Sequence, residues 1–245
     1  MQPTRIAELL QAYLGPADHQ GLSANGLISI STYIDMLLRW NTRVNLTAIR
    51  DPEDIVTRHF GESFFAARHL FPNPSGHSVA GRRQDAAFAN IGARQLPSAA
   101  SDHLAVADLG SGAGFPGLPM KLWAPNIALT LIESNQKKAM FLREVTRALT
   151  LTDVNIQNAR AKDLPPASFD LVTIRAVERF AETLAVATSL LVPAGCLVLL
   201  VGSSQLVSAR SVLPELSWDP PIAIPMSHSR VLLLGRLPSR NHESE

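Results

Sequence analysis

The stretch Leu104–Pro119, LAVADLGSGAGFPGLP, constrains this chain more than any other. A short apolar run ends in Asp108 and passes directly into a loop holding Gly110, Gly112, Gly114 and Gly117. Glycine accepts positive φ and has no Cβ to hold a ligand away, and the N–H groups at the following helix start point outward. Strand, glycine loop and helix in that order are the opening unit of a doubly wound α/β sheet that takes a small charged cofactor against its backbone.

Two cofactor classes use such a loop. From Gly112, the spacing Gly112-x-Gly114-x-x-Gly117 fits the dinucleotide fingerprint, with Glu133 about 20 residues on, where a ribose-binding acid belongs. From Gly110, the loop reads G-x-G-x-G, as in S-adenosylmethionine-dependent methyltransferases. Asp108 favours the second, because a carboxylate there repels a pyrophosphate and suits a ligand bearing sulfonium and ammonium groups.

The rest of the chain supports this frame. Apolar spacing predicts helices over 4–14 and 27–40, and Asp51-Pro52-Glu53-Asp54 starts a third that runs to about Leu70. Residues 1–71 are thus an N-terminal helical cap. Residues 72–103, rich in Pro, Gly, Ser and Ala, read as a flexible insertion or linker. From Leu104 strands (104–109, 127–133, 154–158, 169–175, 195–201) alternate with helices (116–124, 135–149, 179–191, 203–212). A hairpin of 222–226 and 230–234 adds an antiparallel edge, with Asp219-Pro220-Pro221 as a turn before it. The expected fold is α/β and Rossmann-like: a mostly parallel seven-stranded sheet flanked by helices over 104–236, followed by a disordered tail, 237–245.

Composition excludes several classes. No uninterrupted apolar stretch of about 18 residues exists to span a membrane, and the N-terminus lacks the pattern of a secretory signal. The single Cys196 lies within an apolar run, which rules out an intramolecular disulfide framework and a loop-borne thiol nucleophile. A cytoplasmic protein is expected. Net charge is only +1, yet Arg39, Arg43, Arg50 and Arg58 cluster, and Lys137, Lys138, Arg143 and Arg147 share one helix. Arg175 closes the fourth strand at the ligand-binding edge. Guanine N7 is a free lone pair, so its methylation needs alignment and no general base, which fits the lack of an evident one.

At this point the residues resemble the RsmG (GidB) family of 16S rRNA guanine-N7 methyltransferases. The matching pieces are Trp40-Asn41 through Asn45-Leu46-Thr47, Arg58-His59-Phe60, the Asp108–Pro119 loop, Lys137-Lys138 with Phe141-Leu142, Arg160, and Arg175-Ala176. The resemblance implies an enzyme that uses S-adenosylmethionine to methylate N7 of a guanosine in the decoding-region loop of the small ribosomal subunit; separately, a monomer that needs no metal is expected. It places Asp108, Gly110, Gly112 and Phe115 in the cofactor loop, Glu133 on the ribose, Ala161 and Lys162 at the adenine, and Arg175 in the pocket. Arg160 and Arg175 are the catalytic candidates, organising the RNA-facing side. Asn45, Arg58 and His59 help shape the site from the cap; His59 is equally readable as a helix residue bonded to Glu62, and Trp40 as a core anchor. The family usually has Asp at Glu62, Lys at Val201 and an acid at Lys162. A methyltransferase with another acceptor and a non-catalytic ribosome-binding module remain open as alternatives.

Overall fold

The computed structural model describes residues 1–15, 22–71, 104–176 and 179–239. The expectations for 72–103 and for 240–245 lie outside these residues; the tail expected to be disordered from 237 is instead tied down at its start, where Leu237 N–H donates to Gly195 O at 3.0 Å and Pro238 O accepts from Ala194 N–H at 3.2 Å. Five parallel strands form the sheet: β1 (Ala105–Leu109), β2 (Ala128–Ile132), β3 (Val154–Gln157), β4 (Phe169–Arg175) and β5 (Leu191–Gly202). They are followed by β6 (Ser217–Trp218), β7 (Ile222–Ala223) and β8 (Arg230–Arg236). The order is β3-β2-β1-β4-β5-β8-β6, with β7 also pairing β8 and β8 antiparallel to β5. The chain winds outward from β1 through β2 to β3, then returns to β4 on the other flank of β1. That reversal puts a crevice at the C-terminal ends of β1 and β4, where ligands bind in open α/β sheets.

Alternation along each strand sends successive side chains into two separate apolar layers. Val106, Leu171, Cys196, Val198, Leu200, Leu232 and Leu234 face one layer, and Ala107, Val172, Leu197, Leu199 and Leu233 face the other. The second layer is covered by helices at Phe180–Leu190 and Leu206–Val212. The first is covered by helices at Gly117–Trp123 and Gln136–Ala148, and by the N-terminal helices. These last are α1 (Pro3–Leu14), α2 (Ala24–Asn41) and α3, a continuous helical run over 52–70. The N-terminal helices share one apolar cluster with the sheet, and the cap is therefore built onto the crevice.

Local chemistry explains α3. Asp51 Oδ1 accepts from the N–H groups of Glu53 and Asp54 at 2.9 and 3.0 Å, the cap that the sequence predicts. Within the run, Ile55–Gly61 is π-helical, a wide turn that the 3.6-residue period does not reveal. From His59 to Ala67 every residue is buried, as befits a helix covered on all sides. Gly61 lets the ring of Tyr13 lie against α3, since a Cβ there would come within 2.6 Å of the Tyr13 ring.

Two expectations at the antiparallel edge need correction. The strand predicted over 222–226 is only Ile222–Ala223, and Ser217–Trp218, predicted as no strand, pairs β8 as well. Asp219-Pro220-Pro221 is thus no turn before a hairpin but an interruption within one edge line, where prolines lacking N–H groups are tolerated. In addition, β5 begins at Leu191, four residues before the predicted start.

Candidate functional site

The loop after β1 is held from three sides. The N–H groups of Gly110 and Ser111 donate to Ile132 O at 2.9 and 3.1 Å, and Gly114 N–H donates to Ser111 O at 2.6 Å. Gly110, Gly112 and Gly114 all take positive φ, +68°, +55° and +88°. Among the described residues, a Cβ on Gly112 would find only Gly110 O, at 3.7 Å, so no described side chain fills the space this glycine faces. On Gly114 it would strike the Tyr33 hydroxyl and Leu118, and on Gly117 the Asp108 and Leu131 side chains.

The carboxylates expected to meet the cofactor shape this loop. Asp108, 1% exposed, accepts from Gly117 N–H at 3.1 Å and from the Thr173 hydroxyl at 3.0 Å. Burial pushes its pKa up to about 6 against the opposing pull of those hydrogen bonds. Glu133, directly after β2, accepts from Gly112 N–H at 2.9 Å and from Asn135 N–H at 2.7 Å. Asn158, just past β3, donates to Glu133 O and Ser134 O, so the ends of β1, β2 and β3 are tied together. Ala161, half-buried, and Lys162, exposed, follow in a 3-10 turn beside them.

Among the described residues, the N–H groups of Ala113 and Phe115 donate to nothing in the fold. With the open face at Gly112 and the carboxylate of Glu133, they leave a cradle offering N–H donors to an anionic group and an acid to a hydroxylated one. That donor set fits the carboxylate and the ribose of S-adenosylmethionine. The Phe115 ring turns away from it. It stacks on Tyr33 at 5.4 Å and on His59 at 4.7 Å and meets Phe60 edge-on.

Arg175, at the C-terminal end of β4, is sunk in the seam with the cap, its side chain 11% exposed. Its guanidinium donates to Glu62 Oε2 (3.3 and 3.1 Å), to Arg58 O (2.8 Å) and to His59 Nδ1 (2.9 Å). A guanidinium has no acceptor, so His59 Nδ1 must carry the lone pair and Nε2–H must donate to Thr47 Oγ1, 2.8 Å away. Burial and the Arg175 charge, with Arg58 and Arg230 beside it, push the His59 pKa down to about 3. His59 is therefore a neutral bridge between the cap and Arg175. The expected bond from His59 to Glu62 is not made, because Arg175 takes the Glu62 carboxylate together with Arg230, whose Nη2 lies 3.1 Å from the same oxygen. Thr47 sits in a loop closed by Asn41, whose amide donates to Thr47 O and accepts from Leu46 and Thr47 N–H.

Arg160 is exposed, and among the described residues its side chain makes no bond, so the structure does not join it to Arg175. Asn45 and Arg58 are exposed on the cap, and Trp40 takes the anchoring place expected of it, edge-on to Phe141 with its N–H on Glu144. Val201, 2% exposed, lies in the apolar layer facing away from the cap. The sequence reading missed Tyr33 and Arg230. A tyrosine on the apolar stripe of a helix, needing a partner for its hydroxyl, was the available signal for Tyr33; Arg230, as a lone arginine opening a strand, offered none.

Sheet order, glycine loop at the switch point and acid after the second strand together define a Rossmann-like methyltransferase dependent on S-adenosylmethionine. Among solved structures, P. horikoshii TYW2 in complex with MeSAdo has a TM-score of 0.48 at 17% identity, over 59% of this chain and 61% of that one. Precorrin-6y C5,15-methyltransferase from Geobacter metallireducens GS-15 has a TM-score of 0.46 at 20% identity, over 57% and 82%. The family model for rRNA small subunit methyltransferase G matches residues 27–75 and 93–213. Ribosomal RNA small subunit methyltransferase G of Xanthomonas campestris pv. campestris (strain B100) is 35% identical over 184 residues, 75% of this chain and 72% of that protein. The protein of the same name from Halorhodospira halophila (strain DSM 244 / SL1) is 35% identical over 194 residues, 79% and 78%. The chain belongs to the family of rRNA small subunit methyltransferase G.

Proposed function

We propose that this protein transfers the methyl group of S-adenosylmethionine to N7 of a guanosine in the decoding-region loop of 16S rRNA, acting in the cytoplasm on the small ribosomal subunit as a monomer without a metal. The observation that carries the reading is the state of the candidate bases. Among the described residues at the crevice, His59, Glu62 and Asp108 are each committed to partners of the fold itself, and the carboxylate of Glu133, bonded to Gly112 N–H, is the one assigned to the ribose. None of these four is free to remove a proton, and guanine N7 needs none, since its lone pair attacks the sulfonium methyl directly. The enzyme's work is then alignment and exclusion of water.

In this reading Gly110, Gly112 and the free N–H groups hold the methionine end, Glu133 exchanges its Gly112 bond for ribose hydroxyls, and Ala161 and Lys162 border the adenine. Asp108 acts from beneath by fixing the loop, and Phe115 by fixing it to the cap. Arg175 holds the cap edge in place, while exposed Arg160 meets RNA phosphate as a cation. The test is incubation with labelled S-adenosylmethionine and small subunits from cells lacking the modification, followed by strand cleavage specific for N7-methylguanosine. Cleavage at one guanosine of the decoding-region loop is expected. Labelling elsewhere, or none while the cofactor binds, would overturn the assignment.

A further inference from the structure

We propose that Tyr33, a residue of the helical cap, is a positioning residue for the cofactor: its hydroxyl sets the shape of the glycine loop and hence the affinity for the S-adenosyl ligand. The inference rests on the cofactor assignment above and concerns a side chain 80 positions away in sequence from the loop it governs.

Tyr33 lies on α2 and is fully buried. Its hydroxyl donates to the carbonyl oxygen of Ala113, between Gly112 and Gly114. Its ring runs nearly parallel to Phe115, at 8°, and edge-on to Phe60, at 88°. One side chain thus grips the loop twice, through a carbonyl and through the neighbouring ring. Turning the Ala113 carbonyl into the cap fixes the peptide planes on either side of it. The free N–H groups of Ala113 and Phe115 are thereby held in place for a ligand before it arrives. A loop that must find this shape on binding loses affinity by the ordering it still has to undergo. Gly114 belongs to the same device, because only a residue without a Cβ lets the hydroxyl approach so closely. Burial also holds the phenol well above its ordinary pKa, so the O–H remains a donor at any working pH.

The test is Tyr33→Phe, which keeps every ring contact and removes one oxygen. Affinity for S-adenosylhomocysteine is measured by calorimetry, and the unliganded melting temperature is measured alongside. The expected result is about a tenfold weaker ligand, equivalent to roughly 1.4 kcal/mol, with a KM for S-adenosylmethionine that rises while kcat at saturation changes little. Phe64→Leu is the control. Phe64 is fully buried against Phe60 and Trp123 and makes no bond to the loop, so this variant should lower the melting temperature and leave ligand affinity intact. Wild-type affinity in Tyr33→Phe would overturn the inference. So would a loss of affinity in Phe64→Leu matching that in Tyr33→Phe, since both would then report loosened packing. A wild-type protein that binds no S-adenosyl ligand would overturn the cofactor reading itself, and the inference with it.

Discussion

Replacing Glu62 by Gln tests the idea that one carboxylate clamps the cap to the sheet. The amide keeps the volume and one acceptor but removes the charge that two guanidinium groups share. Glu62 is 6% exposed at its side chain, Arg175 11% and Arg230 26%. Breaking a buried pair by neutralising one partner typically costs about 3–5 kcal/mol, chiefly because the remaining charge is stranded. Here two cations are stranded, but Arg230 reaches water, which favours the lower end, about 3 kcal/mol. For a chain of this size that corresponds to a drop in melting temperature of roughly 6–12 °C. The assay is thermal unfolding followed by circular dichroism, with urea unfolding for the free energy. Glu53→Gln serves as the reference, because Glu53 meets Arg5 in an exposed pair, 48% and 47% exposed, and its loss should leave the midpoint nearly unchanged. A cost for Glu62→Gln below about 1 kcal/mol would refute the clamp and make the pair an ordinary solvated one.

Two further predictions concern the crevice. His59 has a depressed pKa, so its contribution to stability is complete above its unfolded value of 6.5 and is lost as pH falls toward about 3. Asp108 has a raised one and runs the other way: its contribution is complete below 3.8 and disappears as pH rises past about 6. Urea titrations between pH 4 and 7 should therefore show His59→Gln gaining stability relative to wild type toward the acid end. Asp108→Asn should gain toward neutrality, and parallel curves for all three proteins would contradict both assignments. Gly112→Ala should fold with a cost of about 1–2 kcal/mol from its left-handed backbone alone. Gly114→Ala should cost clearly more, because its Cβ also collides with Tyr33 and Leu118; equal melting temperatures would show that the loop can yield there.

Much of this was legible in the sequence because it is local. The β1 strand, its glycine loop, the Asp51 cap and the alternation of strand and helix all depend on neighbours a few residues apart, and periodicity reports those. What escaped is what folding brings from afar. Tyr33 reaches Ala113 across 80 residues, and Arg230 reaches Glu62 across 168. No spacing rule connects such pairs. His59 was readable as a helix residue bonded to a nearby acid, but a stronger donor from β4 takes that acid and leaves the imidazole to bridge. The π-helical turn in α3 and the broken edge strand were hidden for a different reason: each departs from the regular period on which such reading relies.

That broken edge limits what can add to the sheet at this border. A strand at the border of a sheet presents unpaired N–H and C=O groups along which a second chain can align, the first step toward a fibril. Here β6 and β7 contribute two residues apiece, separated by Asp219-Pro220-Pro221, where two successive positions have no proton to offer. A strand approaching this border from solvent finds no continuous ladder to extend, so on this side the sheet ends where the chain ends it.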